Sequence, residues 1–212
     1  MKIVSHYELA KSANQSYIAQ SFSASNCEVL IQFKNDHQIF AIRGTEGNAL
    51  FSGLGILDVI RDARFFPWHN DILGVCHAGF LKGALKIIDQ IDKYAIKDMP
   101  IILTGHSMGA AIGLLIAIFL KNRGYNVVEY VGFACPRAFI YNKQKHNPDH
   151  SVRFPITIYR YENDIVPLVP TKIPFGYHHI VKLTQLGDGN GLPSILDHSM
   201  DNYEDFLMND IV

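Results

Sequence analysis

Ile101-Ile102-Leu103-Thr104-Gly105-His106-Ser107-Met108-Gly109-Ala110 joins a short apolar run, Pro100 to Thr104, to a longer one, Ala110 to Leu120. The first has the length and character of a strand buried on both faces of a parallel sheet. The second stops near Asn122-Arg123-Gly124, a helix end. Between them stands Gly-x-Ser-x-Gly. A sharp strand-to-helix turn needs small residues on both sides of the serine, because a Cβ at either glycine collides with neighbouring backbone. Such a turn lifts the Ser107 hydroxyl above the carboxyl edge of the sheet. It also places the Met108 N–H in the first helical turn, where the dipole favours a developing oxyanion.

Working outward, Tyr7 to Ile18 carries helical spacing, and Glu28 to Phe33 and Gln38 to Ile42 are β-rich runs. The polar turn Lys34-Asn35-Asp36-His37 parts those runs and predicts a hairpin. His77 to Tyr94 repeats apolar residues at helical spacing through Phe80, Ala84, Ile87, Ile88 and Ile91. Val127 to Ala134, Ile156 to Tyr161 and His179 to Leu183 read as strands, and Asp197 to Met208 as a last helix. This alternation predicts a mostly parallel central sheet flanked by helices, with an antiparallel N-terminal edge. No repeat or Pro/Ser-rich linker interrupts residues 1–212, so one domain is expected.

A serine hydroxyl becomes a nucleophile when a histidine takes its proton and a carboxylate orients that histidine. Downstream of Ser107 the best acid is Asp164, just past a predicted strand, with Glu162 as its neighbouring rival. For the base, His198 sits at a loop–helix junction from which a ring reaches over the sheet edge. His178 and His179, after Gly176-Tyr177, are its rivals, and His106 inside the motif reads as a packed residue. Order along the chain does not choose among them.

Together several segments resemble the class 3 (fungal-type) lipase family of the α/β-hydrolase superfamily. They are Arg43-Gly44-Thr45, His77-Ala78-Gly79-Phe80, Thr104 to Ala110, Phe133-Ala134-Cys135-Pro136-Arg137, Asp164-Ile165-Val166-Pro167 with Pro170, and Asp197-His198 with Tyr203. The resemblance runs from about Ile39 to Tyr203. It implies a triad of Ser107, Asp164 and His198, and an oxyanion hole at Thr45 and Met108. Arg43, His77, Arg137 and His179 then look like scaffold residues. The family's lid lies between Thr45 and Asp62, where this chain reads Asn48-Ala49-Leu50-Phe51-Ser52-Gly53-Leu54-Gly55-Ile56-Leu57. Residues 46–61 are expected to form either a mobile flap or a fixed pocket wall, and residues 48–57 to touch a lipid surface transiently.

The activity so implied is that of a serine carboxylic-ester hydrolase, a lipase or esterase working through an acyl-enzyme on Ser107, with no metal or organic cofactor. Two alternatives use the same triad, a phospholipase A1-type activity and an acyltransferase. A third, from another class, is a catalytically silent protein that binds an apolar ligand in the same fold.

The resemblance implies an acyl-ester or lipid substrate, and bulk properties argue against other partners. The formal charge is −1, so no long-range field draws nucleic acid. Cys27, Cys76 and Cys135 are odd in number and irregularly spaced, which favours buried thiols in a reducing compartment. The start, Met1-Lys2-Ile3-Val4-Ser5-His6, lacks the apolar core of a secretory signal, and no apolar run is long enough for a transmembrane segment. A cytoplasmic protein is expected, with signal-independent export compatible with the same sequence. His146-x-x-x-His150 has a zinc-like spacing, but Pro148 breaks the helix that would present it. Asp188-Gly189-Asn190-Gly191 lacks the frame of a calcium loop and reads as a turn leading toward His198.

Overall fold

The computed structural model describes residues 3–19, 21–24, 27–43, 66–140 and 154–209. The elements in order are α1 (His6–Gln15), β1 (Phe22–Ala24), β2 (Cys27–Lys34), β3 (His37–Ile42), β4 (Pro67–Asn70), β5 (Gly74–His77) and α2 (Ala78–Tyr94). There follow β6 (Ile101–His106), α3 (Met108–Asn122), β7 (Val127–Phe133), β8 (Phe139–Ile140), β9 (Ile156–Tyr161), β10 (Tyr177–His178), β11 (Thr184–Leu186) and α4 (Met200–Asn209). Short 3₁₀ turns at Val166–Leu168 and Leu196–His198 complete the order.

The main sheet has seven strands in the order β1-β2-β3-β6-β7-β9-β11. Its first two pairings are antiparallel and the rest parallel, as the sequence predicts. Asn35 and Asp36 take positive φ (49° and 62°), so short polar residues tolerant of the left-handed region close the β2–β3 hairpin.

Alternation along the parallel strands divides the core. Phe40, Ile42, Ile101 and Leu103 face the layer of α2 and α3, while Ile39, Ile102, Val131 and Phe133 face α1 and α4. The crossovers from β3 to β6 and from β6 to β7 step in one direction. Right-handed connections then put α2 and α3 on one face. Helix α3 is apolar all round and buried from Gly109 to Leu120, and the Tyr130 hydroxyl ties it to β7 by donating to the Ala110 carbonyl at 2.6 Å. Helix α1 starts with a capping box, in which Ser5 Oγ accepts from the Glu8 N–H and the Glu8 carboxylate accepts from the Ser5 N–H.

Two departures from the sequence reading stand out. His179 to Leu183, expected as a strand, is not one. Pairing occurs on either side, at Tyr177–His178 and Thr184–Leu186, and Ile180, Val181 and Leu183 pack against the core without a ladder. An apolar run satisfies its side chains equally well as an irregular crossing between sheets. The second departure is a four-stranded antiparallel sheet, β10-β8-β5-β4, whose strands of two to four residues leave too short a pattern to read. The last helix also begins later than expected, at Met200, with His198 in the 3₁₀ turn before it.

Candidate active site

Ser107 occupies the joint between β6 and α3 with φ 57° and ψ −131°, a region that L residues enter only under constraint, at a cost of about 1–3 kcal/mol. The constraint is packing. A Cβ on Gly105 would stand 2.7 Å from the Ile42 carbonyl oxygen, and one on Gly109 would stand 2.3 Å from the same atom. These glycines let the elbow press against the carboxyl end of β3. Serine at a helix N-cap ordinarily spends its oxygen on a first-turn N–H. Ser107 makes no such cap, and its hydroxyl points instead to His198.

His198 Nε2 lies 3.0 Å from Ser107 Oγ, and His198 Nδ1 lies 3.0 Å from Asp164 Oδ2 and 3.2 Å from Oδ1. All three side chains are buried. The carboxylate only accepts, so Nδ1 carries the ring proton and Nε2 presents its lone pair to the serine. Asp164 is held from two further sides. The Val166 N–H donates to Oδ1 at 2.9 Å, and the Tyr203 hydroxyl donates to Oδ2 at 2.6 Å. Burial, and then the Asp164 charge, pushes the Tyr203 phenol well above its usual range, so it stays protonated as a donor. The sequence singled out Tyr203 only as part of the resemblance beside Asp197-His198, with no role given, and the structure buries it on α4 with Met200 and Leu207. A buried phenol still needs a partner, and that was the available signal.

Asp164 and His198 meet because two loops are zipped together. The Ile165 N–H donates to the Ser194 carbonyl, the Ser194 N–H donates to the Asn163 carbonyl, and Asp197 accepts from the Asn163 N–H at 3.0 Å. Glu162, the rival acid, faces away and accepts from the Gly189 N–H at 3.0 Å, which makes it the anchor of the turn at Asp188 to Gly191. His178 lies in β10, opposite Phe139. His179 donates from Nε2 to the Pro167 carbonyl at 2.7 Å, and Arg137 donates to the carbonyls of Leu168 and Pro170. Both therefore brace the segment after Asp164. His77 caps α2 by accepting from the Phe80 N–H, and Arg43 pairs with Glu28.

Burial pushes His77 and His179 each down to about 4 from an ordinary 6.5. The unfolded chain binds these protons near 6.5 and the folded chain only near 4, so stability is full above about 6.5 and drains as pH falls toward 4. Tm is expected to drop between about pH 7 and about pH 5. His179→Ala is expected to melt lower than wild type at neutral pH, through the lost Pro167 bond, yet to lose less on acidification. Melting curves at the two pH values check this, and a variant with the full acid loss would return that loss to other groups.

Met108 opens α3, so its N–H stands in the first turn beside Ser107. Thr45, residues 46–61 including 48–57, and His146 and His150 lie outside the described residues. Among the described residues no group of three or more His, Cys, Asp or Glu is placed to hold a metal ion. No helix among them is long and apolar enough to cross a membrane. Cys76 and Cys135 are free and buried, and burial pushes both thiols up to about 12.

The family model described as lipase (class 3) matches residues 39–173, well over half of the chain. Among solved structures, the fold is similar to that of the Rhizomucor miehei triacylglyceride lipase, with TM-score 0.67 and 20% identity over 91% of each chain. It is also similar to lipase II from Rhizopus niveus, with TM-score 0.63 and 19% identity over 91% of each chain. The mono- and diacylglycerol lipase from Aspergillus oryzae matches with TM-score 0.61 and 18% identity, over 93% of this chain and 86% of that one.

Proposed function

This chain belongs to the class 3 lipase family and is a carboxylic-ester hydrolase, and from that premise we propose that it works through an acyl-enzyme on Ser107. Ser107 Oγ attacks the ester carbonyl carbon as its proton passes to His198 Nε2. Asp164 holds the imidazolium that results. The tetrahedral oxyanion accepts from the Met108 N–H and from Thr45. In support of that second donor, the Arg43 carbonyl, two residues before Thr45, lies so close to Gly109 that a Cβ there would meet it at 2.7 Å. Each such donor is typically worth about 10²–10³ in rate. Collapse breaks the ester C–O bond, and His198 gives its proton to the leaving alkoxide. Water then attacks the acyl carbonyl, passes a proton to His198, and the acid departs as Ser107 takes that proton back.

The observation that carries this reading is the unbroken array Ser107–His198–Asp164, with the ring tautomer dictated by an acceptor-only carboxylate. A lipid acyl ester is the substrate class proposed. The neighbours of like fold act, by name, on triacylglyceride and on mono- and diacylglycerol, and Leu192 and Leu196, 88% and 84% exposed, precede His198 along the chain. Residues 48–57 are proposed to contribute transient contact with the lipid surface.

Incubation with a fluorophosphonate, followed by peptide mapping, is expected to give one adduct, on Ser107. Panels of p-nitrophenyl esters, emulsified triacylglycerol and phospholipid vesicles then rank lipase against phospholipase A1-type activity, and added alcohol reports acyl transfer. A folded protein that takes up no probe, with or without detergent, would overturn the mechanism in favour of a silent apolar-ligand binder.

A further inference from the structure

His106 neighbours the nucleophile but takes no part in the proton path just described. Its ring is 2% exposed and lies 4.6 Å from the His198 ring and 6.1 Å from that of Tyr203. Its Nε2 stands 2.8 Å from the backbone carbonyl oxygen of His198. Its Nδ1 stands 2.8 Å from the Tyr17 hydroxyl, which arrives from the turn after α1. A carbonyl oxygen only accepts, so His106 Nε2 carries a proton and donates. In the neutral ring Nδ1 is then an acceptor, and Tyr17 is the donor that selects this tautomer. Burial, and then the neighbouring His198, holds His106 well below the usual histidine range, in keeping with a neutral ring. The Arg43 guanidinium lies 5.6 Å from the centre of the Tyr17 ring, so the end of β3 backs the chain of contacts.

We infer that Tyr17 and His106 are positioning residues that hold the backbone of the base His198 in register with Ser107. This rests on the triad reading above. Without them, the 3₁₀ turn carrying His198 would be tied to the sheet chiefly through side chains of its own array and the zip to Asn163. Because His106 is joined covalently to Ser107, the bond to the His198 carbonyl ties nucleophile and base through one rigid peptide unit. Neutrality matters as well: a cation in the His106 ring, 4.6 Å away, would oppose the imidazolium that His198 must become.

The test compares His106→Leu, His106→Gln and Tyr17→Phe in the full chain. His106→Leu removes the donor, and a misplacement of the base is expected to lower kcat roughly 10–100-fold with KM little changed. His106→Gln keeps an amide N–H near the place of Nε2 and is expected to recover most of that loss. Tyr17→Phe removes only a hydroxyl and is expected to cost roughly 3–10-fold in kcat, which keeps the test open where His106→Leu fails to fold. The second readout is the far-downfield proton resonance of His198 Nδ1–H bonded to Asp164, expected sharp in wild type and His106→Gln and broadened in Tyr17→Phe and His106→Leu. Equal losses in His106→Gln and His106→Leu, or an unchanged resonance and kcat in Tyr17→Phe, would overturn the inference. A wild type that turns over no ester sinks the hydrolase mechanism instead, and the resonance, which needs no substrate, still decides the positioning claim.

Discussion

Ser107→Ala is expected to lose the fluorophosphonate adduct and to lower ester turnover by about 10⁴–10⁶, to the level left by the oxyanion donors and binding alone. Its fold should be unaffected, because alanine at φ 57° suffers the same backbone strain as serine and the hydroxyl caps no helix. Ser107→Gly separates strain from chemistry. Glycine enters this region freely, which relieves about 1–3 kcal/mol against an entropic penalty of roughly 0.5–1 kcal/mol. The glycine variant is therefore expected to be as inactive as the alanine variant and to melt at or above wild type. Steady-state rates and melting curves on the same preparations check both statements. Residual turnover near wild type in either variant would mean that another residue is the nucleophile.

Asp164→Asn is expected to cost about 10⁴ in kcat while leaving the site almost unchanged in shape. The reason lies in the Val166 N–H, a donor 2.9 Å from Oδ1. It obliges the new amide to place its oxygen there, so the NH₂ takes the place of Oδ2, 3.0 Å from His198 Nδ1. A donor facing Nδ1 drives the ring proton to Nε2, where it faces Ser107 Oγ and leaves no lone pair to take the serine proton. The Tyr203 hydroxyl can turn to accept from the amide, so folding tolerates the change. The downfield Nδ1–H resonance should vanish in the variant, and kcat measured across the pH range should stay low throughout. Turnover near wild type without that resonance would show that the base needs neither the Asp164 charge nor its bond to Nδ1.

Much of the architecture was legible because the relevant signals are local. Pro100 to Leu120 reads as buried strand, tight turn and buried helix from apolar run length and from two glycines, and β6 and α3 follow that reading. The hairpin at Asn35-Asp36 and the amphipathic α2 were equally open, since turn chemistry and helical period each act within a few residues. The four-stranded sheet was not. Its β8 and β10 are two residues each, and they pair across segments far apart along the chain, Phe139–Ile140 with Tyr177–His178.

The site divides in the same way. By itself the sequence put Ser107 on a sharp strand-to-helix turn at the carboxyl edge of a parallel sheet, because Gly105 and Gly109 bring no Cβ against the neighbouring backbone. It also limited the acid to Asp164 or Glu162 and the base to a few histidines. The resemblance implied Asp164 and His198, but that these two lie against each other and Ser107 was decided only by tertiary structure. Glu162 and Asp164 are two residues apart, and a single turn after β9 sends one carboxylate to the Gly189 N–H and the other to His198. His179 and His198 are alike as imidazoles, yet one ring is claimed by the Pro167 carbonyl and the other by Asp164 and Ser107. The contact of Tyr17 with His106 joins residues 89 positions apart and leaves no local pattern at all. Hydrogen bonds are short-ranged and directional, so partners far apart in sequence are chosen by how the layers pack.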